Sequence, residues 1–165
     1  MRVFLALGSN LGNREAYLRS GVLGLANRGI DIIRCASLYS TEPFEVLDQP
    51  TFLNTAIEAD TALSSDELLS ACLQIEKQNQ RTRDTAKGPR TLDIDIIFYE
   101  NQIVRKAGLI IPHPCFSARR FVLVPLVELA PQFTDPVSGK TIAALLESCP
   151  DSGEVRYAGT LQQFS

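Results

Sequence analysis

The stretch Leu92-Asp93-Ile94-Asp95-Ile96-Ile97-Phe98-Tyr99 decides how this chain folds. From Leu92 to Ile96 apolar and acidic residues alternate, which is the two-residue repeat of a strand with one buried face. A strand over Leu92 to Tyr99 turns Leu92, Ile94 and Ile96 into the core and Asp93 and Asp95 to the opposite face. At about 3.3 Å per residue the two acidic Cα atoms stand roughly 6.5 to 7 Å apart.

The flanking segments set this strand in an order. Upstream, Ser64 and Glu67 make a capping box, and Leu68, Leu69, Cys72, Leu73 and Glu76 follow at helical spacing, so a helix runs to about Gln78. Arg2 to Leu7, Ile30 to Tyr39 and Phe52 to Ala59 read as strands, and Glu15 to Ala26 as a helix stopped by Asn27-Arg28-Gly29. Downstream come a turn at Glu100-Asn101, a short strand around Ile103, an irregular Ile110-Ile111-Pro112-His113-Pro114, and an apolar Phe121 to Leu129 that mixes strand and helix signals. A last helix covers Thr141 to Ser148. Strand, helix, strand, strand, helix, strand is the order of the split βαβ unit. The expected fold is α+β and ferredoxin-like, a mostly antiparallel sheet with helices packed on one face.

Composition narrows the function classes. The 165 residues are 45% hydrophobic and 21% charged, the balance of one globular domain over 1–165 that needs no disulfide or metal staple. No apolar run is long enough to span a membrane and no signal-like segment follows Met1-Arg2-Val3, so a cytoplasmic protein is expected. A net charge of -3 argues against gripping nucleic acid by the whole surface. Cys35, Cys72, Cys115 and Cys149 form no CxxC pair and are expected as buried, reduced thiols.

Against this acidic background, Arg81, Arg83, Lys87 and Arg90 crowd the loop that feeds the Asp93/Asp95 strand, and Arg119 and Arg120 follow His113. Two carboxylates on one face repel unless a cation lies between them, and hard oxygen ligands in that number suit Mg²⁺, which completes its shell with water and substrate phosphates. Arginine forks match phosphate oxygens, so the pattern fits a site holding a polyphosphate and a divalent metal together. Phe52 and Asn54, two apart on one strand, share a face able to stack on a flat heterocycle and hydrogen-bond its edge. The loop Gly8-Ser9-Asn10-Leu11-Gly12-Asn13 has neither the GxGxxG spacing nor a P-loop lysine, and no nucleophile elbow is present.

Taken together, Leu7-Gly8-Ser9-Asn10-Leu11-Gly12, Tyr39-Ser40-Thr41-Glu42-Pro43, Phe52-Leu53-Asn54, Gly88-Pro89-Arg90-Thr91-Leu92-Asp93-Ile94-Asp95 and Pro112-His113 resemble the 6-hydroxymethyl-7,8-dihydropterin pyrophosphokinase family of folate biosynthesis. The resemblance implies a ferredoxin-like fold and transfer of the β,γ-diphosphate of ATP to the hydroxymethyl oxygen of the pterin, releasing AMP. It implies that Asp93 and Asp95 hold two Mg²⁺ ions, and that Arg81, Arg90, His113 and Arg119 contact the triphosphate, Arg81 and Arg90 in catalytic roles with the two aspartates. Glu76 matches a helical carboxylate near the ATP site and Ile96 a residue of the adenine pocket. Phe52 and Phe121 match the aromatic pair that sandwiches the pterin, Asn54 the amide that reads its edge, and Thr41, Glu42 and Phe44 the loop lining its pocket. The partners implied are the small molecules ATP and pterin, with neither nucleic acid nor membrane. No residue stands out as a general base for the pterin hydroxyl. The chain departs from the family pattern at Gln80, Lys87, Gly108 and Leu73. The loops Thr41 to Pro50 and Arg81 to Gly88 are expected to close over bound substrates.

Two rival classes fit the sequence less well. A nucleotide-sensing module explains the basic loops but gives no reason for two carboxylates on one strand face. A metal-dependent nucleic-acid enzyme is at odds with the net charge and with the Phe52/Asn54 pocket.

Overall fold

The computed structural model describes residues 1–41, 51–79 and 91–161. Its centre is a strand trio. β1 (Arg2–Ser9) lies between β4 (Phe52–Thr61) and β5 (Asp93–Tyr99), antiparallel to both. β2 (Ile30–Cys35) and β3 (Tyr39–Thr41) pair with successive halves of β4, and β8 (Val155–Tyr157) extends the sheet beyond β3. The order β5-β1-β4-β2/β3 is that of the split βαβ unit expected from the sequence. β6 (Val104–Lys106) and β7 (Leu109–Ile111) form a separate hairpin whose turn places Gly108 at φ 82°, a left-handed conformation that suits glycine and accounts for its presence there.

Both helices of the repeat start on a side-chain cap. Asn13 accepts the Ala16 N–H at the head of α1 (Arg14–Ala26), and Ser64 with Glu67 makes the full capping box of α2 (Ser65–Gln78). Leu18, Val22 and Leu25 of α1, with Leu68, Cys72 and Ile75 of α2, meet Val3, Leu5, Leu7, Ile57, Ile94 and Ile96 of the sheet in one buried cluster. Each such side chain contributes about 1.5–3 kcal/mol relative to remaining exposed.

These two helices share one face of the sheet, as expected. The opposite face carries a second layer that the one-faced expectation left out: α3 (Arg120–Leu129) and α4 (Ile142–Glu147) pack on Phe4, Ala56, Ile97 and Phe98. The mixed signal of Phe121 to Leu129 resolves as helix even though Pro125 lies inside it, because Val122, Leu123, Leu126 and Leu129 all find buried partners there. The expected strand Ile30 to Tyr39 is two strands. Ala36 still donates to the Ala56 carbonyl, but beyond it the chain leaves β4 until Tyr39, and Leu38 instead exchanges backbone bonds with Ala158 and Gly159. β8 itself carries no periodic sequence signal. Of the cysteines, Cys35 and Cys72 are buried thiols as expected, but Cys149 is half-buried and Cys115 exposed, since the turn after Pro114 lies at the surface.

The second layer is fastened by Glu58. Its buried carboxylate accepts from Arg2 Nε at 2.7 Å and from the Arg34 guanidinium at 3.1 Å, and Arg34 also donates to the Leu129 carbonyl at the end of α3. Charge-assisted bonds of this kind contribute about 1.5–3 kcal/mol, and both arginines are half-exposed and so can be solvated when the partner is lost. Glu58→Ala is expected to lower the unfolding free energy by about 1–3 kcal/mol, read from the urea midpoint at unchanged slope.

Candidate functional site

Strand alternation divides the residues of β1, β4 and β5 between the two faces of the sheet, with one break in β5. Leu5 pairs with Ile96 but Phe4 pairs with Phe98, so Ile97 is an extra residue and the strand bulges there. Ile97 and Phe98 therefore both join the second cluster, while Tyr99 returns to the first. The carbonyl of the inserted Ile97 accepts the backbone N–H of His113 at 3.2 Å. The bulge thus ties the His113 segment to the same strand that carries Asp93 and Asp95.

On the second face α3 and α4 cover Phe4, Ala56 and Phe98, and the end of that face around Gly8, Asn54 and Asp93 forms the floor of the candidate site. Register brings the predicted residues together there. Gly8 of β1 stands opposite Asn54 of β4 on one side and Asp93 of β5 on the other; Ala6 stands opposite Asp95, and Thr41 of β3 opposite Phe52. Asn54 and Asp93 are two strand spacings apart, about 10 Å. Asp93 is half-buried and Asp95 exposed. Gly8 is the residue whose role the sequence reading missed. A Cβ added to it would lie 2.7 Å from Asn54 Oδ1, so its hydrogen side chain makes room for the amide, while Asn54 Nδ2 donates to Thr41 Oγ1 at 2.7 Å. A glycine inside an otherwise apolar strand run is the signal that could have shown this close approach.

The rim of the floor comes from α3. Arg119 precedes the helix and Phe121 lies in its first turn, with the Arg119 guanidinium 6.0 Å from the centre of the Phe121 ring. His113 is half-buried, and its Nδ1 accepts the Cys115 N–H at 3.2 Å, so the proton of the neutral ring sits on Nε2 as a donor. Burial, followed by the nearby Arg119 charge, pushes its pKa down to about 4.

Glu76 and Ile96 lie differently. The Ile96 side chain is packed in the α1/α2 core. Glu76 is buried at the end of α2, where its carboxylate accepts the Ile94 N–H at 2.7 Å. That bond shows the Ile94 amide facing away from β1, toward the outer edge of the sheet, and the two-residue repeat turns the Ile96 backbone to the same edge. Glu42, Phe44, Arg81 and Arg90, with the two loops expected to close, lie outside the described residues, apart from Thr41 at the loop's start.

Among the described residues no group of three or more His, Cys, Asp and Glu side chains could hold a metal ion by itself. Two hard carboxylate donors on one face fit Mg²⁺ in the manner that leaves most of its shell to water and phosphate oxygens.

A family model described as 7,8-dihydro-6-hydroxymethylpterin-pyrophosphokinase matches residues 4–131. The chain is 42% identical over 130 residues to the 2-amino-4-hydroxy-6-hydroxymethyldihydropteridine pyrophosphokinase of Bacillus subtilis, covering 78% of each. It is 40% identical over 153 residues to the protein of that name from Methylorubrum extorquens, covering 92% of this chain and 96% of that one. A folic acid synthesis protein of Pneumocystis carinii is 38% identical over 149 residues, but the chain spans only 20% of its length. Among solved structures, wild-type HPPK-DHPS of Plasmodium falciparum superposes with a TM-score of 0.64 at 18% identity, over 89% of this chain and 43% of that one, a likeness of fold.

Two outcomes are expected. Gly8→Ala forces Asn54 off its position and lowers stability by about 1–3 kcal/mol in urea unfolding. His113 takes up a proton more readily unfolded than folded, so the stability it contributes is present above about pH 6.5 and is lost as pH falls toward its folded value of about 4. Between those limits the unfolding free energy of the parent falls more steeply with acidification than that of His113→Gln.

Proposed function

Because the chain belongs to the 7,8-dihydro-6-hydroxymethylpterin-pyrophosphokinase family, we propose that it catalyses transfer of the β,γ-diphosphate of ATP to the hydroxymethyl oxygen of 6-hydroxymethyl-7,8-dihydropterin, releasing AMP, in folate synthesis. The observation that carries the reading is the shared floor: Phe52, Asn54 and Thr41 lie on the same sheet face as Asp93 and Asp95, with the side-chain-free Gly8 between. A flat heterocycle on one half of that face has its substituent directed toward the carboxylates on the other.

In this reading Phe52 and Phe121 stack on the pterin, and Asn54, its amide held by Thr41, reads the ring edge. Glu42 and Phe44 complete the wall. ATP lies along the outer edge of β5, its adenine beside Ile96 and Glu76 and its triphosphate toward Arg81, Arg90, His113 and Arg119. Neutral His113 offers its Nε2–H to a phosphate oxygen, and the arginines bring charge. Asp93 and Asp95 would hold two Mg²⁺ ions, which when bound supply neutralisation of the phosphate charge. The hydroxymethyl oxygen forms a bond to the β-phosphorus as the bond from that phosphorus to the α–β bridging oxygen breaks; AMP leaves with that oxygen, and the hydroxyl proton is released to water. Such a transfer asks the protein for positioning and electrostatic stabilisation rather than a covalent nucleophile. A cytoplasmic location belongs to the same reading; no helix of the described residues is long and apolar enough to cross a membrane.

The test is AMP release from ATP and Mg²⁺, with and without the pterin, by the parent and Asp95→Ala. AMP that depends on the pterin and falls about 100-fold or more in the variant is expected. ADP in place of AMP would mean attack at the γ-phosphorus and overturn the reading, as would ATP binding with no AMP.

A further inference from the structure

Arg119 precedes α3 and Phe121 lies in its first turn, where the Arg119 carbonyl accepts the Val122 and Leu123 N–H groups but no neighbouring side chain caps the helix. Arg119 makes no side-chain cap, and Pro125 lacks the N–H that would bond the Phe121 carbonyl. The missing cap comes from 31 residues away: Asp151 Oδ2 accepts the Arg120 N–H at 3.0 Å. Asp151 Oδ1 accepts the Gly153 N–H at 2.8 Å, and the Arg120 side chain donates to the Gly153 carbonyl at 3.2 Å, which closes a compact bracket around the helix start. A carboxylate at this end also faces the positive pole of the helix.

The same segment then becomes β8, whose Val155 pairs with Thr41 and Tyr157 with Tyr39. A second tie links these parts further along α3, where Glu128 accepts the Tyr39 hydroxyl at 2.6 Å and the Ser37 N–H at 2.9 Å. Residues 151–157 therefore run from the helix start that bears Phe121 to the strand end that bears Thr41, and they lie beyond the residues 4–131 that the family model matches.

We propose that Asp151 is a positioning residue and that residues 151–157 act as a strap that sets the gap between Phe121 on α3 and the Thr41–Asn54–Phe52 floor, and with it the fit of the pterin. Asp151 acts through the Arg120 amide and does not touch substrate. The inference rests on the functional reading above, in that the flat ligand gripped across this gap is the pterin.

Three variants of the full chain test it: Asp151→Ala, Asp151→Asn, and one glycine inserted after Gly153, which lengthens the strap and leaves the cap in place. In steady-state AMP release, Asp151→Ala and the insertion are expected to raise the KM for the pterin about tenfold while kcat changes less than threefold. Asp151→Asn, which keeps an oxygen acceptor for Arg120, is expected to stay within threefold of the parent on both. Hydrogen exchange at the Val122 and Leu123 amides is expected to quicken about tenfold in Asp151→Ala. A pterin KM within twofold of the parent in both Asp151→Ala and the insertion overturns the proposal, as does an Asn variant as impaired as Ala. If Asp151→Ala does not fold, the insertion decides alone. A parent that releases no AMP with the pterin overturns the functional reading instead, and the hold on α3 is then judged by exchange, where unchanged rates at Val122 and Leu123 refute it.

Discussion

The pairing of β5 with β1 is the constraint from which the rest of the arrangement follows. Because side chains alternate along a strand, Ile94 and Ile96 cannot enter the α1/α2 core without turning Asp93 and Asp95 to the other face. The burial of those isoleucines thus holds the carboxylates in place, and a one-residue slip would exchange the two sets. The bulge at Ile97 then ends this phase. It delivers Ile97 and Phe98 to the second core and offers a carbonyl to His113, so one irregularity separates the half of the strand that carries the carboxylates from a half that packs the second layer.

The second face is divided in the same way. α3 and α4 need apolar partners and find them at Phe4, Ala56, Ile97 and Phe98, and Glu58 holds the end of α3 through Arg34. Nearer the Gly8 end of β1 the face carries glycine, amide and carboxylate in place of hydrophobic side chains. Helices cannot bury such a surface without leaving polar groups unsatisfied, so the packing stops where the floor begins. The candidate site is what remains of a sheet face that is only half suited to being a core.

Electrostatics on this floor run both ways. The two aspartates bring negative charge to a face whose rim holds Arg119, and His113 is kept neutral by burial and by that arginine. A neutral imidazole with its proton on Nε2 adds a directed donor to this rim without adding to the charge of Arg119.

The order of the split βαβ elements, the capping box at Ser64 and the facing of Asp93 and Asp95 follow from the sequence alone, since each depends on spacing within a few residues. The pairing of Phe52 with Asn54 on one face is of this kind too. Other features needed the tertiary structure. That Gly8 is the partner of Asn54 depends on register between strands far apart in sequence. The second helical layer, the split between β2 and β3, and the strand β8 arise from contacts that no local period records. β8 is three residues long and exists because β3 has an open edge, and α3 remains a helix despite Pro125 because its apolar face is buried. Asp151 reads in the sequence as one more polar residue in a C-terminal turn, and only the folded chain brings its carboxylate to the amide of Arg120. Local periodicity determines which way a side chain faces, whereas what it faces is decided by long-range burial and hydrogen bonding.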